Sequence, residues 1–378
     1  MTGLTGVTAQ PANTTTTGAS GNPPSLRTLA QTADVHTLGL YVQSHPHDRA
    51  KLETELVKAN RSSDIARLKD TLRYELPHWE PRGTNSGGPN YKTRVLPDTT
   101  NLVGTSSAWN GMVAAGKVTP SERRVISQMA MNEGRLDSVQ AYDSETVTAG
   151  AMQKTINANG TGELPKQVYD FSQSNPAGYK ALFADKGWTV AHTGKGHGAS
   201  DYTMTFSADG KPTTPQQTRA YIKDKTAPDH WNAALGPLLQ AGRDPAFQAV
   251  QIQDFKTRLD GAMAGTPSGK GYTQPISAYV TSEKGAALVL DESVNRPNNV
   301  PHTFGRALDS FYAANPKASR YPTQWTASQR ADYEPKIMSA YEAERTTSSM
   351  SHPTERAQTI VGPASPLSDA PKSFVPTP

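Results

Sequence analysis

The sequence predicts a mainly α fold (α+β) with one small β element, on three observations. Apolar residues recur at helical spacing over most of residues 26–345. One helix opens on a strong start signal, Thr119-Pro120-Ser121-Glu122. Strand-like runs are confined to Trp188-Thr189-Val190 and Tyr202-Thr203-Met204-Thr205-Phe206, around a Gly/His turn.

In chain order, residues 1–25 hold Thr, Gly, Asn, Ala and Pro with almost nothing to bury, and read as disordered. Residues 26–80 read as a small helical unit. Its apolar stripes are Leu26, Leu29 and Ala30; Leu38, Leu40, Tyr41 and Val42; Leu52, Leu56 and Val57; and Ile65, Leu68 and Leu72. Helical periodicity fits a recognition or delivery module and a packed N-terminal extension equally. Residues 81–118 read as a linker and connecting segment, opened by Pro81, Gly83, Gly87, Gly88 and Pro89. A larger domain over 119–350 begins with a helix at 120–132, with Val125, Ile126, Met129 and Ala130 on its apolar face and its end near Gly134. Further helices are expected at 164–185, 215–222, 229–240, 244–264 and 327–345, with an apolar segment at 272–294. Residues 351–378, rich in proline, read as a disordered tail.

The chain has 378 residues, 35 % of them hydrophobic, and a net charge of +4. Such mild basicity suits a polyanionic partner such as bacterial cell wall, and equally an ordinary basic protein. No Lys/Arg run exceeds two residues and no basic-aromatic motif occurs, which disfavours nucleic acid. The absence of cysteine excludes disulfides and thiolate metal sites. No stretch approaches the length of a membrane span, and the first residues lack a basic start followed by an apolar core, so no ordinary signal peptide is expected.

The chemistry concentrates after the helix at 120–132. Glu133 closes that helix, and Asp143 and Glu145 follow in a polar loop before Thr148-Ala149-Gly150-Ala151-Met152-Gln153. Cleavage of a sugar–sugar bond needs two carboxyl groups, one to donate a proton and one to activate water or attack. The donor must stay protonated near neutral pH, which an apolar setting and a helix C-terminus both favour. The second must stay ionised, as Asp143 or Glu145 would in a Ser/Thr loop. On spacing alone, a solvated helix end and a turn former describe these residues as well.

Three stretches together resemble the chitosanase branch of the lysozyme superfamily. One is Glu133 through Gln153, with Asp143 five residues before Thr148-Ala149-Gly150. A second is Asp244-Pro245-Ala246-Phe247 continuing to Gln251, and a third is Gly285 through Asn295 with its internal Asp291. A closing helix ending Tyr341-Glu342-Ala343-Glu344-Arg345 is compatible. Gly150-Ala151-Met152-Gln153 is also similar to the Gly-x-Met-Gln signature of soluble lytic transglycosylases. Two features depart from the branch: the Glu133–Asp143 gap is shorter, and no His-Gly follows Asp291.

The resemblance implies a lysozyme-like two-lobed fold with a small β element and an N-terminal helical extension. It implies Glu133 as general acid, Asp143 as base with Glu145 as the alternative, and Thr148 as the water-positioning hydroxyl. Tyr142, Gln153, Asp291 and Asn295 become candidate substrate-binding residues, with no metal and no cofactor. Inversion would need roughly 6.5–9.5 Å between the carboxyl groups and retention about 5–5.5 Å. The expected activity is muramidase action on peptidoglycan glycan strands. A chitosanase, a lytic transglycosylase and a non-catalytic wall-binding protein are the alternatives; a polycationic chitosan suits a basic chain less than an anionic wall does. With no signal peptide expected, the enzyme would be made in the cytoplasm and act in the periplasm or cell wall after delivery by a secretion machine or phage lysis. An antibacterial effector of this kind implies a cognate immunity protein.

Weaker signals read as structure. His192, His197 and His230 lack a clear carboxylate partner for a metal. The glycines at 194–198 and 265–271 lack the context of a phosphate loop. Trp188, Tyr202, Trp231 and Tyr272 are read as core rather than as sugar-stacking platforms.

Overall fold

The computed structural model describes residues 25–45, 48–70, 79–82, 90–93, 102–141, 144–211, 213–224, 229–269, 271–347 and 349–378. The expected disorder of residues 1–25 therefore lies outside the described residues except at Ser25. The chain divides into two units, Met1–Leu72 and Arg73–Pro378.

In the first unit, helices α1 (Leu26–Thr32), α2 (Val35–Ser44), α3 (Arg49–Lys58) and α4 (Ser63–Asp70) follow one another. Ser25 and Asp34 cap the first two through their side chains. Leu29, Ala30, Val35, Leu38, Val42, Leu52, Leu56 and Leu68 form the core. Arg61 closes the loop before α4 by donating to the carbonyls of Ala30 and Ala33 at 2.9 and 2.8 Å. Among the described residues the expected stripes hold, except that Val57 is exposed; Leu72 and the side chain of Leu40 lie outside the described residues.

The second unit is mainly helical with two small sheets. Strands β1 (Trp79–Arg82), β2 (Asn90–Thr93), β3 (Val139–Gln140), β4 (Val147–Ala149) and β5 (Lys154–Ile156) form one antiparallel sheet in that order. Strands β6 (Trp188–His192) and β7 (Tyr202–Phe206) pair as the expected hairpin. The helices are α5 (Ala108–Ala114), α6 (Pro120–Met129), α7 (Glu163–Ser174), α8 (Pro176–Leu182), α9 (Pro215–Lys223), α10 (Asp229–Ala241), α11 (Pro245–Ala264), α12 (Ile276–Tyr279), α13 (Glu283–Asn295), α14 (Val300–Ala314), α15 (Ala327–Thr346) and α16 (Pro353–Val361). Two apolar cores separate them. One gathers α5, α6 and α11 to α16 around α13, where Ala286 to Leu290 are buried. The other gathers β3 to β7 with α7 to α10. Helix α11 serves both: Phe247 enters the second core, while Ile252, Phe255 and Leu259 enter the first.

The structure corrects the sequence reading in four places. The helical unit ends at Leu72 rather than near residue 80, and residues 79–82 are a strand of the second unit. Residues 102–118 are more than a connection, because Val103, Trp109 and Met112 are buried in the first core. Helix α14 was not expected, although Phe304, Leu308 and Phe311 lie at helical spacing and are buried. Residues 351–378 are folded. Ala357, Ile360, Leu367 and Phe374 are buried, and the backbone N–H of Phe374 donates to the Thr281 carbonyl at 2.9 Å. Frequent prolines hid a short helix and an extended strap whose apolar residues have somewhere to go.

Candidate active site

Helix α6 sets the position of Glu133. Thr119 and Glu122 exchange side-chain bonds with each other's backbone N–H, forming the expected capping box. Val125, Ile126 and Met129 bury its inner face. The helix then tightens into a 3-10 turn over Ala130–Asn132, and Glu133 leaves it in extended backbone. Its side chain is only 11 % exposed. That burial raises the carboxyl pKa above its ordinary value, and the Arg356 guanidinium bonded to it opposes the shift without reversing it.

Three distant stretches meet beside Glu133. The N–H of Gly134 donates to the Ala151 carbonyl at 3.0 Å, and that of Gly150 to the Ser138 carbonyl at 2.8 Å. Gln251 on α11 ties both sides: Oε1 accepts from the Ala151 N–H at 3.1 Å, and Nε2 donates to the Leu136 carbonyl at 2.9 Å. A Cβ on Gly134 would stand 2.4 Å from Gln153 Nε2, and one on Gly150 would stand 2.5 Å from Gln251 Oε1. Gly150 also has φ +77, in the left-handed region glycine favours. Asp244 caps α11 by accepting from the N–H groups of Ala246 and Phe247.

Behind Glu133 lies a buried charge network. Asp291 of α13 is fully buried. Its Oδ1 accepts from Arg356 Nη2 at 2.6 Å and from Asn132 Nδ2 at 3.0 Å, and its Oδ2 accepts from Arg345 Nη2. Arg356 Nη2 also donates to Glu133 Oε1, and Nη1 to the Asn132 carbonyl at 3.2 Å. Buried charges persist where they are paired and hydrogen-bonded, as here. Two arginines face two carboxylates, so the cluster is neutral when Glu133 is ionised. A second cation, Arg258 of α11, also acts on Glu133 and is anchored by donating to the Ser293 carbonyl at 3.0 Å.

The structure brings some of the expected residues together and sets others apart. Tyr142 and Asp143 lie outside the described residues. Glu145 is half-buried just before β4. Thr148 lies in β4 opposite Gln140 and is buried, and its hydroxyl has no hydrogen-bond partner among the described residues. Gln153 stands against Gly134, the residue after Glu133, its Oε1 accepting from Gln140 Nε2 at 2.6 Å and its Nε2 donating to the Gly150 carbonyl at 2.8 Å. Asp291 is not available to a substrate, because it is buried and engaged by Arg345, Arg356 and Asn132. Asn295 is exposed as the last residue of α13.

Sequence reasoning missed Arg356 and Arg258. For Arg356 a signal existed: Pro353 suits a first helical position, and Ala357, Ile360 and Val361 follow at helical spacing. Among the described residues no group of three or more His, Asp or Glu could hold a metal ion. No described helix is long and apolar enough to cross a membrane. His192 and His197 stack on each other with centroids 5.5 Å apart, in an exposed turn. Comparison with known proteins returned no match: no family model, no curated protein and no solved structure.

Proposed function

We propose that this chain is a glycoside hydrolase of lysozyme-like architecture that cuts peptidoglycan glycan strands as a muramidase. The observation that carries the proposal is Glu133: a nearly buried carboxyl with a raised pKa at the end of α6, beside the β3–β5 sheet. Burial disfavours the ionised form of such a group, which suits it to hold a proton and pass it to the oxygen of a departing sugar. Once the proton has gone, Arg356 stabilises the carboxylate left behind. Asp143 or Glu145 supplies the base in this reading, and Thr148 the hydroxyl that holds the water. The net charge of +4 suits the anionic wall better than polycationic chitosan. An antibacterial effector or phage-type lysin acting in the wall, with an immunity protein as antagonist, is the biological setting we propose.

The position of Gly150-Ala151-Met152-Gln153 beside Glu133 favours one second reading, a lytic transglycosylase, which needs the acid alone. Digestion of purified peptidoglycan followed by mass spectrometry of the released muropeptides separates the two. Reducing ends indicate hydrolysis and anhydro ends transglycosylation. Glu133→Gln is expected to lower turnover by at least ~100-fold, on the scale of a lost general acid. Unchanged turnover in that variant would remove Glu133 from the chemistry and sink both readings.

A further inference from the structure

A cavity of about 420 Å³ opens beside Arg258, lined by Glu163, Gly261, Ala262, Ser293 and Val300 among others. Resting on the reading above, we infer that it receives the carboxylate-bearing peptide substituent of the glycan strand.

Size, charge and position support this occupant. The volume lies toward the lower end of the roughly 300–1,000 Å³ of small-molecule sites, more than an acetyl group requires. Small side chains keep it open. Gly261 is exposed on α11, and a Cβ there would meet no atom within 4 Å, so helix packing does not demand a glycine. Arg258 supplies the recognising charge. Its Nη1 is fixed to the Ser293 carbonyl, while its Nη2 meets Glu163, whose side chain is 51 % exposed, at 3.2 Å. An ion pair so open to water is weak, so a ligand carboxylate can take the place of Glu163. A guanidinium suits that exchange because its planar fork binds carboxylates in two-point fashion. The same Arg258 charge acts on Glu133. Arg258 follows Gln251 by about two turns of α11, ~10 Å along the helix, and Gln251 bonds the Ala151 and Leu136 backbone close to Glu133, so a group held in the cavity hangs from a sugar near that carboxyl. Unsubstituted glucosamine or N-acetylglucosamine polymers carry no such group.

The probe is N-acetylmuramyl-L-alanyl-D-isoglutamine, titrated into the full-length protein by NMR or calorimetry. The variants are Gly261→Leu, which fills the cavity, and Gly261→Ala, which barely enters it; thermal melts confirm that both fold. The expected result is binding to the parent and to Gly261→Ala, and at least tenfold weaker binding to Gly261→Leu. No binding to the parent, or equal binding to all three, overturns the inference whether or not the protein cuts glycan. On intact sacculi, Gly261→Leu should slow turnover at least tenfold. On glycan strands stripped of peptides by an amidase it should match the parent, and equal loss on both substrates also overturns the inference. If the parent binds the probe but cuts neither substrate, the muramidase reading fails and the cavity assignment stands.

Discussion

Glu133 and Arg356 are separated by 223 residues and meet in one hydrogen bond. Their pairing sets a sign that experiment can read. Burial raises the Glu133 pKa from its ordinary value of 4.5, while the bond from Arg356 pulls it down. Because the folded pKa is raised, the stability linked to this carboxyl is fully present below the unfolded value and is lost as pH rises through the folded one. Relative to the parent, Glu133→Gln should therefore gain melting temperature between pH 4 and pH 8. In the active protein, kcat/KM should fall with rising pH along a limb set by Glu133. Arg356→Lys keeps the charge but cannot serve Glu133, Asp291 and Asn132 with one planar fork. That limb should then move to higher pH, and a shift to lower pH would mean that Arg356 does not bond the acid. Glu133 was legible in the sequence because a capped amphipathic helix points to its own end. Arg356 was not, because its partners lie far away in the chain and its neighbours are a proline-rich stretch.

Elements assemble the site through backbone contacts that only small residues permit. Gly150 turns the chain between β4 and the Gln153 segment and lies against Gln251, whose amide grips both Ala151 and Leu136. Gly150→Ala would hold alanine at φ +77, at a cost of about 1–2 kcal/mol. Its Cβ would also fall 2.5 Å from Gln251 Oε1 and push that amide aside. The expected outcome is a lower melting temperature and a loss of turnover larger than the loss of folded protein, since Gly134, next to Glu133, bonds Ala151. Unchanged turnover in this variant would show that Gln251 does not hold the acid in place. Helix α11 and the β6–β7 hairpin were readable because their periodicities run for many residues. Strands β3 to β5 have only two or three residues each, too short for an alternating pattern to stand out. Their existence depends on pairing across loops, which local sequence does not display.

For the second unit as a whole, the C-terminal strap decides whether the acid's surroundings exist. Beyond α15 the chain turns back, lays α16 against α6 and α13, and runs on to the start of α6. Glu122, fully buried there, accepts from the Thr377 hydroxyl at 2.6 Å, the Thr377 N–H at 2.9 Å and Lys256 Nζ at 3.1 Å. Burial alone would raise the Glu122 pKa, but these bonds, with that from the Thr119 N–H, bring it below the ordinary value. Its stabilising contribution is accordingly present above the unfolded pKa and is lost as pH falls through the folded one. The same Glu122 completes the cap of α6, so the far end of the chain is bonded to the helix that leads into Glu133. Ending the chain at residue 350 would remove Arg356, unpair Glu122 from Thr377 and expose what Ile360, Leu367 and Phe374 cover. Replacing Ile360 alone by alanine should cost about 2–5 kcal/mol, because it is fully buried. The truncated chain should then lose cooperative melting in the larger unit, whereas a disordered tail could be removed with no change. A shorter deletion that removes only residues 376–378 isolates the cap. It should lower stability most above pH 5, where Glu122 is ionised and left to Lys256 and Thr119, and least near pH 3. Equal melting of the parent and this shortest variant at every pH would mean that the bonds from Thr377 do not stabilise α6 in solution.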